Sequence, residues 1–276
     1  MANQKLTDDY PLSNEELVEK VKKEHESKQI RDYKFPTEII DLPSNGLIYP
    51  KDNPLSTGKI EMKYMTAKEE DILTNQSYIK NGTVIDKLLK SLIITPIDYN
   101  DIIVGDKNAI MIAARVLGYG KDYTFDLDGE EHTVDLTEVK DKELKENDLL
   151  FKGQNEFEFT LPTTKKTITF KILTHGDERK IENEIKGIKK VKKNESPEQS
   201  TRLKHMILSV DGDTERKKIR EFVDTQLLAR DARALRNHIK EIQPDVDLIF
   251  NIETEAGEKE VRIPIGITFF WPDSEL

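Results

Sequence analysis

The chain has 276 residues, of which 36% are hydrophobic and 35% are charged, and its 43 basic and 53 acidic side chains give a net charge of −10. Since domains usually contain roughly 100–200 residues, this length predicts one large domain or two small ones. The absence of cysteine excludes disulfides, thiolate metal sites and cysteine nucleophiles. The acidic balance argues against a general nucleic-acid binder, whose surface needs an excess of Lys and Arg.

The first residues show no targeting pattern but do show a short helical one. They have no apolar core of the kind that a signal peptide needs, and no apolar run in the chain approaches the roughly 20 residues of a membrane span. We therefore predict a cytoplasmic protein with no membrane span. Ser13 and Glu16 form a capping-box pattern, but the stripe that follows, with Leu17 and Val21, is thin. Residues 1–32 are predicted to be an arm that is either disordered or ordered by a partner through that stripe.

Residues 33–150 are predicted to form a first α+β lobe. Prolines favour an extended segment at its start, and Thr66 is a good N-cap with acidic residues in the first turn after it. Apolar side chains at helical spacing and the Asp128-Gly129 turn signal complete the pattern. In chain order we predict an extended segment at 35–43, a strand at 59–65, helices at 67–80, 84–92 and 109–117, and a hairpin of strands 123–127 and 132–136.

Residues 151–276 are predicted to form a second α+β lobe with the same order of elements. Ser196-Pro197 has the N-cap and proline of a helix start, and Pro244 should end the last helix. In chain order we predict strands at 157–161 and 167–173, a helix from 175, a helix with its apolar stripe over 203–210, a long helix from 213 or 214 to 242, and a hairpin of strands 247–252 and 260–265.

The two lobes contain segments of matching pattern, at 42–72 and at 161–181. Each reads strand, Leu-Pro turn, strand, Met or Leu followed by Thr, an acidic helix start and an apolar stripe. We therefore predict an α+β fold of two lobes, each made of a β-hairpin, helices and a β-hairpin and related by a pseudo-duplication. The alternative is a coincidence, because β-β-α order is common in α+β chains.

No pattern in the chain supports catalysis or cofactor binding. The five histidines lie far apart in sequence, which favours surface or core positions over a metal site. Asp126-Leu127-Asp128-Gly129 fails the calcium-loop pattern, and there is no phosphate-binding loop or serine elbow. We predict a non-enzymatic protein with no catalytic residue, no metal and no cofactor.

Basic and aromatic residues near the C-terminus are the predicted partner-binding residues. Arg230, Arg233 and Arg236 recur at helical spacing and would present an arginine face, with intramolecular salt bridges as the alternative. A second basic stretch, 186–193, is better read as a solvated linker. Because side chains alternate along a strand, the adjacent aromatics of 269–271 cannot all enter one core.

These three aromatics, Phe269, Phe270 and Trp271, are therefore predicted to supply at least one interface anchor. A closing core strand is the alternative. On the interface interpretation, Phe270→Ala lowers partner capture and leaves the protein folded.

Seven segments after the arm form a specific combination, although each alone is a weak signal. They are Phe35–Gly46, Met65–Leu73, Leu88–Ile93, Ala114–Gly120, Leu228–Arg236, Pro244–Asp247 and Phe269–Pro272. In this order they resemble the baseplate hub family of T4-type contractile-tailed bacteriophages. The resemblance implies a non-enzymatic virion or tail-assembly protein that binds other hub or tail proteins in the host cytoplasm and in the tail baseplate, and it leaves oligomerisation open.

Two other functions remain open, and the chain departs from the family pattern at one hairpin. The chain would otherwise be a transient assembly chaperone that is absent from the mature virion or, in a different class, a hydrolase with an unrecognised carboxylate site. Some relatives in the family are expected to carry paired cysteines in the hairpin that corresponds to 123–136, which would suit a zinc knuckle. This chain has an Asp128-Gly129 turn and no cysteine there, so we expect no zinc.

Overall fold

Short antiparallel sheets and eight helices make up the part of the chain that the structure, a computed structural model, describes: residues 36–192, 197–254 and 257–270. The predicted binding residues Leu17, Val21 and Trp271, and the arm at 1–32, lie outside these residues. The helices are α1 (Ala67–Leu73), α2 (Gln76–Lys80), α3 (Val84–Leu92), α4 (Val104–Tyr119), α5 (His175–Val191), α6 (Glu198–Met206), α7 (Arg216–Thr225) and α8 (Ala229–Ile242).

All strands pair antiparallel. They are β1 (Thr37–Asp41), β2 (Lys59–Lys63), β3 (Asp122–Leu127), β4 (Glu130–Asp135), β5 (Lys140–Lys142), β6 (Phe157–Thr160), β7 (Thr167–Phe170), β8 (Ile207–Val210), β9 (Asp245–Asp247), β10 (Ile249–Thr254) and β11 (Gly257–Arg262). The pairs are β1–β2, β3–β4, β5–β9 and β10–β11, and β6–β7–β8 form a three-stranded sheet. The predicted α+β class is confirmed.

Local sequence signals set several of these boundaries as predicted. Thr66 caps α1 in a capping box with Glu69, and the turn between β3 and β4 has positive φ at Asp128 and Gly129. Helix α3 ends at Leu92, before Pro96. These elements follow from short-range chemistry, because a cap or a turn involves only three or four neighbouring residues.

The predicted helix from 213 or 214 to 242 is wrong as a single helix. It is divided into α7 and α8, because the amides of Gln226 and Leu227 both bond to the carbonyl of Phe222 and Leu228 is extended. The predicted apolar stripe over 203–210 also changes element. Ile207–Val210 is strand β8, whose pairing with β7 outweighs the local helical pattern.

Both halves of the described chain contribute to one hydrophobic core and are joined by backbone hydrogen bonds. Lys140–Lys142 pairs with Asp245–Asp247, the Val104 amide bonds to the Leu173 carbonyl, and the His175 amide bonds to the Ile102 carbonyl. From residue 37 onwards the chain forms one compact unit. The boundary proposed at residue 150 stays a prediction, as does the pseudo-duplication.

The composition of the helices bears on a membrane role. Within the described ranges, no helix combines the length and the apolar composition that crossing a bilayer requires.

Candidate functional site: a basic cleft

An open cleft of about 630 Å³ lies where α6, α8 and the β5–β9 pair meet. This volume is within the range of roughly 300–1,000 Å³ that is usual for ligand sites. Its apolar lining comes from the inward faces of the two helices and from the two strands that follow α8. These apolar residues are Leu203, Met206, Ile239, Val246 and Ile249. Four of them are buried, whereas Ile249 is 39% exposed.

Basic side chains predominate among the charged groups of this cleft. Six cations line it, from four different elements: Lys140, Lys142, Arg202, Arg236, Lys240 and Arg262. Three acids line it, namely Asp141, Asp245 and Asp247. The cleft is therefore a basic surface on a chain whose net charge is −10.

Two of the six cations have partners within the protein. Arg202 forms a two-pronged ion pair with Glu178 of α5, and Lys142 Nζ donates to the Lys240 carbonyl. Burial lowers the pKa of Lys142, and the nearby charge of Lys240 lowers it further against the opposing effect of Asp245 and Glu241. The cleft thus holds cations close enough to repel one another.

The other four cations have no partner within the described ranges. Lys140, Arg236, Lys240 and Arg262 form no side-chain hydrogen bond or ion pair with any residue that the structure describes. Asp245 lines the cleft but its Oδ1 already accepts from Asn108 Nδ2 at 2.8 Å and from the Val246 amide at 2.9 Å. The cleft therefore has more free positive than free negative groups.

Only one arginine of the predicted arginine face on α8 belongs to this site. Arg236 is half-buried and lines the cleft, whereas Arg230 and Arg233 are exposed and lie outside it. None of the three forms an ion pair with the described residues, so the alternative of intramolecular salt bridging does not apply to them there. The helical spacing correctly placed the three arginines on one helix, but it could not show that only Arg236 of the three lines the cleft.

The predicted aromatic anchors at 269 and 270 are wrong. Phe269 and Phe270 are completely buried, and they lie in a 3-10 helix, Ile267–Phe270, not in a strand. Their ring centroids are 5.6 Å apart in an edge-to-face arrangement, and Phe269 lies 5.1 Å from Tyr123. Because a 3-10 turn does not alternate side chains between two faces, both rings enter one core. Phe270→Ala is therefore expected to destabilise the fold, by about 3–5 kcal/mol.

A polar cluster that the sequence did not predict joins α3, α4 and the start of α5. Asp86 Oδ1 accepts from Lys107 Nζ at 2.9 Å and from Tyr99 OH at 3.1 Å, and His175 Nε2 lies 3.2 Å from Asp86 Oδ2. His175 Nδ1 lies 3.3 Å from Lys107 Nζ. No spacing pattern could have revealed this cluster, since its members are up to 89 positions apart, from residue 86 to residue 175.

Electrostatics favour a structural role for this cluster. Burial raises the pKa of Asp86, but the adjacent His175 and the hydrogen bond from Lys107 outweigh that effect and hold the pKa well below its usual range. Burial and the neighbouring Asp86 raise the pKa of Tyr99. The ionised Asp86 thus holds Lys107 and Tyr99 of its own half, and its contact with His175 at 3.2 Å reaches the second half.

Metal ligation has no geometric support in the described part of the chain. No group of three or more His, Asp or Glu side chains there is arranged to hold a metal ion. In the β3–β4 hairpin, His132 Nε2 lies 3.7 Å from Glu130 and the ring packs against Phe125.

Comparison of the chain with protein-family models, with curated proteins and with solved structures finds no match.

Proposed function

We propose that the chain is a non-enzymatic component of, or assembly factor for, the central hub of the contractile-tail baseplate of a T4-type phage. Two kinds of observation support the proposal. The seven-segment resemblance covers nearly the whole chain after the arm, and the basic cleft is a surface suited to binding another protein. The observation that carries the binding role is the set of four cations that have no partner among the residues that the structure describes.

An assembly role accounts for these unpaired groups. Arginine is enriched at protein interfaces, and complementary charge increases the rate and specificity of association. Four unpaired cations over an apolar floor provide the two components of such an interface, a polar rim and a desolvated centre. Other hub or tail proteins are the proposed partners, in the host cytoplasm during assembly and in the baseplate afterwards.

Affinity purification from phage-producing cells tests this proposal. The full chain with an affinity tag is expected to co-purify with tail or baseplate proteins, which mass spectrometry of the eluate identifies. Recovery of host proteins alone, with no phage tail protein above an untagged control, would contradict the proposal.

The finished particle distinguishes the two forms of the proposal. Mass spectrometry of purified virions should detect the chain if it is a hub component. Its absence there, combined with capture of tail proteins from cells, would identify it as a transient assembly factor.

A further inference from the structure

We infer that the basic cleft binds an acidic segment of a partner polypeptide that carries apolar side chains between its carboxylates. The inference rests on the proposed role as a protein that binds other proteins, and adds the site and the chemistry of the partner. It depends on three features of the cleft: cations that have no described partner, an apolar floor, and a lining whose described residues include no aromatic side chain.

The charge of these cations favours an anionic partner. Lys140 comes from β5, Arg236 and Lys240 from α8, and Arg262 from β11, so two strands and a helix place the four charges around one opening. None is neutralised by a described residue. Carboxylates can pair with two such arginines in a bidentate geometry that a lysine does not offer.

The apolar floor requires more than charge from that partner. Leu203, Met206 and Ile239 form the base and are already largely buried, so the apolar surface left to cover is mainly that of Ile249, which is 39% exposed at the edge. Covering this surface with apolar side chains gains roughly 25 cal/mol for each Å² that is removed from water. A partner segment with carboxylates alone would leave this apolar surface exposed to water.

A polypeptide fits this lining better than a nucleic acid does. Single-stranded nucleic acids are bound by basic grooves with aromatic side chains on which bases stack, and none of the described residues that line the cleft is aromatic. Asp141, Asp245 and Asp247 also interrupt the positive surface and would repel a continuous phosphate backbone. An acidic peptide can place its carboxylates selectively beside the cations.

Binding of labelled peptides to the full chain tests the inference. The probes are short fluorescein-labelled peptides with several glutamates and a pair of leucines at different helical and extended spacings. The matched probes have glutamine for glutamate, or alanine for leucine. We expect at least one glutamate–leucine probe to bind, with an affinity that falls as salt rises, and both matched probes to bind at least about tenfold more weakly, a difference of about 1.4 kcal/mol.

Two double variants locate the binding. Arg236→Glu with Arg262→Glu reverses two charges in the cleft, and should weaken the probe at least about tenfold. Arg230→Glu with Arg233→Glu makes the same change on the same helix outside the cleft, and should leave binding within about twofold. Circular dichroism and thermal unfolding of both variants check that they remain folded.

Several outcomes would overturn the inference. They are failure of every glutamate–leucine probe to bind the wild-type chain, equal loss of binding in the two double variants, and equal affinity for a single-stranded oligonucleotide of the same length. None of these results affects the co-purification test, so the acidic-segment inference can fail while the baseplate proposal stands.

Discussion

The two halves of the described chain use the same contacts in the same order, but differ in how deeply these contacts are buried. After β1, the Ser44 amide and hydroxyl donate to Asp106, the third residue of α4. After β6, the Thr163 and Thr164 amides donate to Asp231, the third residue of α8. In each half, a Leu-Pro loop is thus held by an aspartate in the first turn of a later helix.

The strand-to-helix junctions also correspond. Lys63 Nζ bonds to Glu69 at 2.8 Å, and Glu69 closes the capping box of α1 with Thr66. Lys171 Nζ bonds to Asp177 at 2.6 Å, and Asp177 closes the equivalent capping box of α5. Both carboxylates neutralise a lysine from the preceding strand while they complete an N-cap.

A third correspondence lies in the sheets. The Met62–Ile93 bridge places the residue after α3 beside β2, as β8, which follows α6, lies beside β7. These matched contacts support the predicted pseudo-duplication, which a superposition of the two halves would test. Unrelated strand orders after superposition would exclude it.

The difference between the halves is clearest in the two aspartates. Asp106 also accepts from Tyr49 OH at 2.6 Å in a fully buried site. Burial raises the pKa of Asp106 to about 6, although the Tyr49 and Ser44 hydrogen bonds oppose that rise. Burial also raises the pKa of Asp231, but its hydrogen bonds from Thr163 and Thr164 outweigh burial and lower the pKa overall. The contribution of this loop-to-aspartate contact to stability should therefore depend on pH in opposite directions in the two halves.

The second residue of each of these helices offers the strongest test of the comparison. A Cβ added at Gly105 of α4 would lie 1.9 Å from the Pro244 carbonyl oxygen, whereas the equivalent Arg230 of α8 is exposed. We expect Gly105→Ala to destabilise the chain by at least about 5 kcal/mol, because backbone must move, and Arg230→Ala to change stability by less than about 0.5 kcal/mol. Chemical denaturation measures both, and near-equal effects would contradict the comparison.

Both aspartates are buried, so their removal tests the different burial of the groups that donate to them. Asp106→Ala leaves the donors of Ser44 and Tyr49 buried without a partner, so we expect a loss of about 4 kcal/mol in the free energy of unfolding. Asp231→Ala should cost less, because Thr163 is exposed and water can replace the carboxylate there. Urea unfolding of the two variants at one pH gives the ranking; a larger loss in Asp231→Ala would reverse our interpretation.

The pH dependence of stability tests the opposite pKa shifts. Since the pKa of Asp106 is about 6 in the folded chain and near 3.9 when unfolded, the folded state binds the proton more tightly. The stability that this group contributes is complete below about pH 4 and is lost as pH rises through about 6, a change of about 3 kcal/mol. Wild type should thus lose stability relative to Asp106→Asn over that range, measured by denaturation at several pH values.

Asp231→Asn is the matched control for that experiment. The pKa of Asp231 is lowered in the folded chain, so its contribution is present above the unfolded pKa and is lost as pH falls. Wild type should therefore gain stability relative to Asp231→Asn as pH rises through about 4. The same sign for both pairs would show that the two sites do not differ as described.

Short-range signals made part of the fold predictable. The caps at Thr66 and Ser13, the Asp128-Gly129 turn and the stripe of α3 depend on neighbouring residues, and those within the described chain are confirmed except for the exact helix ends. The capping prediction at Ser13 lies outside the described residues. Strand β8 depends on its pairing with β7, far along the chain, and the break before Leu228 depends on bonds to the Phe222 carbonyl; hydrophobic periodicity contains neither signal.

The site was less predictable than the fold. Arg236 was identified as a binding residue, but the cleft needs residues from 140, 199, 236 and 262 to meet, and strands β5 and β9 are too short to show alternation. The aromatic residues at 269 and 270 were misassigned because a strand was assumed where the chain makes a 3-10 turn. The sequence thus indicated that arginine takes part in binding, but not where in the fold the binding surface lies.

The β5–β9 pair also has a consequence for the order in which the protein is made. It joins Lys140 to Asp247 and so closes a loop of more than a hundred residues, which is entropically costly and slow compared with local pairing. During synthesis, β9 leaves the ribosome long after β5, so one wall of the cleft is absent until nearly the whole chain has emerged. Only a chain whose two halves have already joined can present the complete cleft to a partner.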